Sequence, residues 1–165
     1  EVAIEAIARL RAERPDARLE IAGDGPERAR LQAWAAERNV TDAVRFHGMV
    51  SGEKLAHLYR TSTAVLLPSE QEGYGLTLVE GALCGTPAVG ARSGGITDLV
   101  VPEETGLLFP PGDADGLAAA LRRLMDEPGL AERLGVAARL AARERTAGPL
   151  ADRLARIYGE LATGS

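Results

Sequence analysis

Two hydrophobic periods alternate along this chain, and the switches between them mark its elements. Val2, Ile4, Ala6, Ile7 and Leu10 mostly keep helical spacing, which predicts a helix from Val2 to Glu13 that Pro15 ends. A short apolar run at Leu19 to Ala22 predicts a strand, broken by Gly23-Asp24-Gly25-Pro26. Pro26 suits the first turn of a helix whose face is Leu31, Trp34 and Ala35. A strand at Ala43 to Phe46 and a helix carrying Leu55, Leu58 and Tyr59 follow, then a buried-type strand at Thr63 to Leu67, stopped by Pro68. The alternation repeats with a helix from about Gly75 to Leu83, a strand at Pro87 to Val89, a helix after Gly94-Gly95 and a strand at Gly106 to Phe109. Beyond Pro110-Pro111-Gly112 the pattern is helical: Ala114 to Met125, Leu130 to about Arg143, and Leu150 to Leu161.

Short strands alternating with helices imply right-handed crossovers, so the expected fold class is α/β: a Rossmann-like doubly wound parallel sheet with helices on both faces, followed by C-terminal helices. The strands show few polar alternations, as expected when both faces are covered. The chain opens at Glu1, already inside a helical pattern without a cap or a signal peptide. It therefore reads as a fragment, a single incomplete domain over residues 1–165 that lacks its first strand. In such a sheet the first strand lies in the middle, so a gap is expected beside the strands at Leu19 and Thr63. The apolar stripe in residues 146–165 is expected to dock on this domain or on another.

Composition narrows the class. With 165 residues, 45% of them hydrophobic and 26% charged, the chain has the make-up of a folded domain, and no apolar run approaches the roughly 20 residues of a bilayer helix. Nineteen Lys and Arg against 24 Asp and Glu give a net charge of −5, which argues against a nucleic-acid surface. Cys84 is the single cysteine; it excludes an internal disulfide and fits a reducing, cytoplasmic compartment. It reads as a small buried residue before the Gly85-Thr86-Pro87 turn.

Ligands of parallel sheets sit beyond the carboxyl ends of the strands, so two loops matter most. Gly23-Asp24-Gly25 begins like a dinucleotide fingerprint, but Arg28 stands where a third glycine is needed; a plain turn and a nucleotide contact both remain open. The segment Pro68-Ser69-Glu70-Gln71-Glu72-Gly73-Tyr74-Gly75-Leu76-Thr77-Leu78-Val79-Glu80 is more specific. Gly73 and Gly75 let a ligand approach the backbone, and the amides of Leu76 and Thr77 open a helix whose dipole favours a phosphate. Glu72 and Glu80 are offset by about 6 to 8 Å of helical rise, a spacing that lets two carboxylates grip two hydroxyl pairs of one extended ligand. Read alone, they are equally well solvated helix-start residues favoured by the dipole.

Those motifs, with CGTP, SGG and TGLLFPPGD following in order, resemble the nucleotide-sugar-binding C-terminal domain of family 4 retaining glycosyltransferases of GT-B architecture. The likeness runs from about Val2 to Arg145. The resemblance implies that Glu72 holds hydroxyls of the donor sugar near the reacting carbon and that Glu80 binds the ribose diol. It implies that Gly73, Tyr74, Gly75, Leu76 and Thr77 line the donor, with the amides of Gly75, Leu76 and Thr77 meeting sugar and diphosphate. Val50 would frame the base, with Gly23 and Gly25 nearby. The family needs no metal and no further cofactor, only the nucleotide-diphosphate sugar as donor substrate, in keeping with a sequence that has no His, Cys or Asp ligand cluster.

One departure concerns charge. The family's diphosphate-binding Arg and Lys lie in a loop after the first strand of this domain, expected upstream of residue 1, and Lys54 and Arg92 are the nearest substitutes in position. The implied partners are a nucleotide sugar, an acceptor of unknown type (glycan, lipid or small molecule) and an N-terminal GT-B domain of the same chain, through which peripheral membrane contact is open. Alternatives are another GT-B enzyme, such as a sucrose- or glycogen-synthase-like transferase or a nucleotide-sugar epimerase, and a stand-alone nucleotide-binding or interaction module. His47 lies at a strand end within reach of a ligand. His57 reads as helix surface, and Trp34 and Tyr59 as core packing.

Overall fold

Ile4, Ala6, Ile7 and Leu10 all turn inward from the first helix, α1 (Val2–Leu10), which fixes the side of the molecule it covers. The computed structural model describes residues 1–69, 75–145 and 148. Helix α1 is followed by β1 (Leu19–Ala22), α2 (Arg28–Glu37), β2 (Val44–Gly48), α3 (Gly52–Thr61), β3 (Val65–Leu67) and α4 (Leu76–Leu83). Then come β4 (Ala88–Ala91), the single-turn α5 (Ile96–Leu99), β5 (Gly106–Phe109), α6 (Ala114–Asp126) and α7 (Leu130–Glu144). Every strand pair is parallel, and helices separate successive strands, as the α/β expectation required.

The expected gap divides the parallel strands into two groups. The strands form a two-stranded sheet, β1-β2, and a three-stranded sheet, β3-β4-β5. The facing strands β1 and β3 do not pair; both line one long cleft of about 980 Å³. The gap therefore opens where doubly wound topology puts it, beside the strands at Leu19 and Val65.

Burial differs between the sheets. All four residues of β4 are buried, and Val65, Leu107 and Phe109 flank them. Close packing depends on glycine here: a Cβ on Gly81 would stand 2.4 Å from Val65 Cγ2, and one on Gly106 2.4 Å from the Ala88 carbonyl oxygen. In β1-β2 only Leu19, Val44 and Gly48 are buried, so the few-alternations expectation holds for β4 and fails for β2, where Arg45 is exposed.

Long-range packing joins α1 to α6. Helix α1 lies along α6, whose Leu117, Leu121 and Leu124 are buried. Arg9 meets Asp115 at 2.6 Å and Arg122 meets Glu13 at 2.9 Å, with Arg14 paired to Asp126. The turn before α6 is closed by Asp113, whose carboxylate accepts from the Gly116 amide at 2.9 Å.

Several boundaries shift by a few residues. Helix α1 stops at Leu10, and tighter turns at Ala12 and Glu13 finish it, because the residue before Pro15 is pushed away from helical geometry. Pro26 sits in a turn ahead of α2, whose Ala35 is buried while Leu31 and Trp34 are half-buried. Strand β3 begins two residues later than Thr63, and β2 extends to Gly48 across a register shift that skips His47. The stripe at Leu150 to Leu161 and the docking role expected for residues 146–165 lie outside the described residues.

Candidate functional site

Residues that follow β1 and β2, and the first turns of α4, line the cleft. Gly23, Val50, Thr77 and Glu80, four of the residues singled out by sequence, line it together. Gly25 is exposed on the turn beyond Gly23 and is outside the lining, as are Gly75 and Leu76. Glu72, Gly73 and Tyr74 lie outside the described residues.

The Gly23 loop is built by backbone geometry. Gly23 takes φ +128°, which L side chains rarely adopt, and its amide donates to the Gly48 carbonyl at 2.8 Å, carrying the β1-β2 contact one step past the ladder. The Asp24 carboxylate accepts from the Gly25 amide at 2.9 Å, a local turn. Arg28 occupies the third-glycine position. Its guanidinium reaches Asp24 at 3.5 Å and the Phe46 carbonyl at 3.4 Å and lies 6.0 Å from the Phe46 ring centre. The interrupted fingerprint is thus a self-bonded turn.

The second loop ends in Gly75, whose left-handed φ of +57° starts α4, and its carbonyl accepts from the amides of Leu78 and Val79. Thr77 is exposed in the first turn, and Glu80, exposed one turn later, reaches the same cleft. The Glu80 carboxylate is not a free helix-surface group. Tyr59 Oη donates to its Oε2 at 2.9 Å, and Thr86 Oγ1 donates to the Tyr59 carbonyl at 2.6 Å. Burial, and then the adjacent Glu80 carboxylate, push the Tyr59 phenol well above its ordinary pKa, so it stays a donor.

Tyr59 is the residue that sequence reasoning missed. Its apolar stripe reported burial correctly, since the ring packs partly against the core, but a stripe carries no signal for a hydroxyl partner 21 positions away. His57 lines the cleft, although it is exposed as expected of a helix-surface residue. His47 reaches Glu20 on the neighbouring strand through Nε2. Lys54 and Arg92, the substitutes for the diphosphate cations, are both exposed and do not line the cleft. Cys84 is half-buried before its turn. Among the described residues no group of three His, Cys, Asp or Glu side chains could hold a metal, and no helix is long and apolar enough to cross a membrane.

A parallel α/β domain with a cleft past its strand ends, a glycine-opened helix and a carboxylate in that cleft defines a ligand-binding domain of the Rossmann-like class. Residues 1–141 match the family described as Glycosyl transferases group 1, and the chain belongs to that family, with the fold of a C-terminal GT-B domain. It is 39% identical over 137 residues to glycogen synthase of Mycobacterium tuberculosis, a match covering 83% of this chain and 33% of that protein. It superposes on sucrose-phosphate synthase of Thermosynechococcus elongatus with a TM-score of 0.81 and 33% identity, over 99% of this chain and 43% of that one. Anabaena Alr3699/HepE, solved in complex with UDP, gives a TM-score of 0.86 at 23% identity, over 96% and 44% of the two chains. The chain spans about a third of the length of the first curated relatives it matches.

Proposed function

We propose that this domain binds the donor in a retaining family 4 glycosyltransferase, which moves a sugar from a nucleotide diphosphate to an acceptor. The observation that carries this reading is the convergence of Gly23, Val50, Thr77 and Glu80 on one cleft at the strand ends. Glu80 takes the ribose diol, a carboxylate being able to accept from both hydroxyls at once. Val50 and Gly23 frame the base, with Gly25 nearby. Thr77, with Gly75 and Leu76, opens a helix whose dipole faces the diphosphate. Glu72 holds the donor sugar, and Gly73 and Tyr74 complete that loop. The acceptor attacks the face from which the diphosphate departs, and the leaving phosphate takes the acceptor proton, so the protein supplies electrostatic stabilisation and no nucleophile. No metal and no further cofactor take part. The diphosphate cations come from the loop after the first strand of this domain, the acceptor site belongs to an N-terminal GT-B domain of the same chain, and the enzyme works in the cytoplasm, where it is free to meet a membrane surface peripherally.

The likeness to glycogen synthase and sucrose-phosphate synthase favours a second reading within the same chemistry, in which the acceptor is itself a carbohydrate. A panel of UDP-, GDP- and ADP-sugars, offered to the full-length protein with and without EDTA, tests both. One donor should be turned over with EDTA present, and both Glu72→Ala and Glu80→Ala should depress kcat/KM by about 10- to 1,000-fold. Normal turnover by Glu72→Ala would remove that residue from the site, and dependence on a divalent ion would remove the metal-free mechanism.

A further inference from the structure

We infer that Tyr59 is a positioning residue for nucleotide recognition: its hydroxyl sets the orientation in which the Glu80 carboxylate meets a ribose diol. This rests on the reading of Glu80 given above and goes a step further, to what holds that carboxylate still.

Glu80 is exposed on α4, and an exposed glutamate has three rotatable torsions that a diol would have to freeze on binding. The Tyr59 hydroxyl, on a different helix, already holds Oε2 at 2.9 Å. Tyr59 is itself fixed at two further points. Its ring packs partly against the hydrophobic core, and its carbonyl accepts from Thr86 Oγ1 at 2.6 Å, where Thr86 is 4% exposed in the turn between α4 and β4. The line from core to ligand thus runs from Thr86 through the backbone and ring of Tyr59 to Glu80, and it ties α3 to α4 on the wall of the cleft. An ionised carboxylate offers about four acceptor sites, so a single phenol hydrogen bond leaves capacity for both hydroxyls of a vicinal diol. A phenol is also the appropriate donor for this task. It is neutral, so it holds the carboxylate without neutralising it as a lysine or arginine would, and Glu80 keeps its full charge for the diol. Burial and the neighbouring anion keep the phenol protonated, so the tether survives at alkaline pH.

The test uses the full-length protein, the nucleotide sugar of the UDP, GDP and ADP panel that it turns over, and the 2′-deoxyribose form of that donor. Tyr59→Phe removes only the hydroxyl. It should raise the donor KM about three- to tenfold and leave kcat within about twofold, as expected for loss of one charge-assisted hydrogen bond that orders a binding group. With the 2′-deoxy donor, which lacks half of the diol, the same substitution should change KM less than about twofold. A donor KM for Tyr59→Phe within about twofold of the parent overturns the proposal, and so does an equal rise with both donors, which would mark a merely structural role. Glu80→Ala is measured beside it. If that variant binds donor normally, the reading of Glu80 fails and takes this proposal with it; if it loses donor affinity while Tyr59→Phe does not, only the tether is wrong.

Discussion

The chain contains two phenylalanines, and they sit in two differently built halves of the molecule. Phe109 ends β5 in the three-stranded sheet and is 2% exposed; Phe46 lies in β2 of the two-stranded sheet, half-buried under the Arg28 guanidinium. The first half of the site, Gly23 and Val50, hangs from the thinly covered pair, where α2 buries only Ala35. The second half, Thr77 and Glu80, stands on α4, which is pressed so closely to β3 that only glycine fits at position 81. A binding cleft can thus have one wall set by close packing and the other by backbone turns and polar pairs. The packed wall carries the Glu80 carboxylate.

Substitutions sharpen that contrast, beginning with the phenylalanines. Phe109→Ala should cost about 3–5 kcal/mol of unfolding free energy, and Phe46→Ala less than about half as much, read from urea midpoints at unchanged slope. Equal losses would erase the distinction between the halves. The glycines come next. Gly106→Ala places a methyl 2.4 Å from the Ala88 carbonyl oxygen, where backbone must move, and should cost about 1–3 kcal/mol. Gly25→Ala meets no atom within 4 Å and should stay within about 0.5 kcal/mol in thermal denaturation.

The smallest effects concern pH. The hydrogen bond from Arg38, aided by the charges of Arg38 and Arg9, holds the Glu5 carboxyl below its ordinary range despite partial desolvation. Arg123 does the same for Glu103 in the other half. A lowered folded pKa contributes stability that is present above the unfolded value and is lost as pH falls through the folded one. Glu5→Gln should therefore lower Tm at pH 7, and the difference from the parent should close as the buffer is taken below the usual carboxylate range. Glu103→Gln should do less, because the Glu103 side chain is 57% exposed against 23% for Glu5.

Strands bounded by turn residues were the most legible part of the sequence. Leu19–Ala22 and Gly106–Phe109 match residue for residue, because an apolar run stopped by Gly23 or Pro110 has little freedom in where it ends. Thr63 and Ala64 were read into β3 as apolar or β-branched neighbours, yet the ladder starts at Val65, whose amide donates to Pro87; periodicity reports burial and is blind to register. Strand neighbours are hidden for the same reason, and the division into two sheets was foreseeable only as a gap in a topology. In the cleft, Thr77 and Glu80 were legible because glycine spacing and a helix start lie in consecutive residues. The role of Tyr59 was not, since its partner is set by how α3 crosses α4. Arg28 shows the converse: its sequence position predicted a failed fingerprint, and its side chain explains what replaced it.

The pairing of α1 with α6 also has a consequence during synthesis. Helix α1 is made well before α6, so its apolar side, Ile4, Ala6, Ile7 and Leu10, has its main covering only once residues 114–126 have been made. At about 5–20 residues per second, that leaves the helix waiting for several seconds with an oily face and no partner. Its acidic and basic residues, Glu5, Arg9, Glu13 and Arg14, keep the waiting segment wetted, and three of them later pair with α6 across more than a hundred positions. Helix α6 thus secures α1 across the intervening chain, and a nascent chain halted between the two would leave that apolar face uncovered.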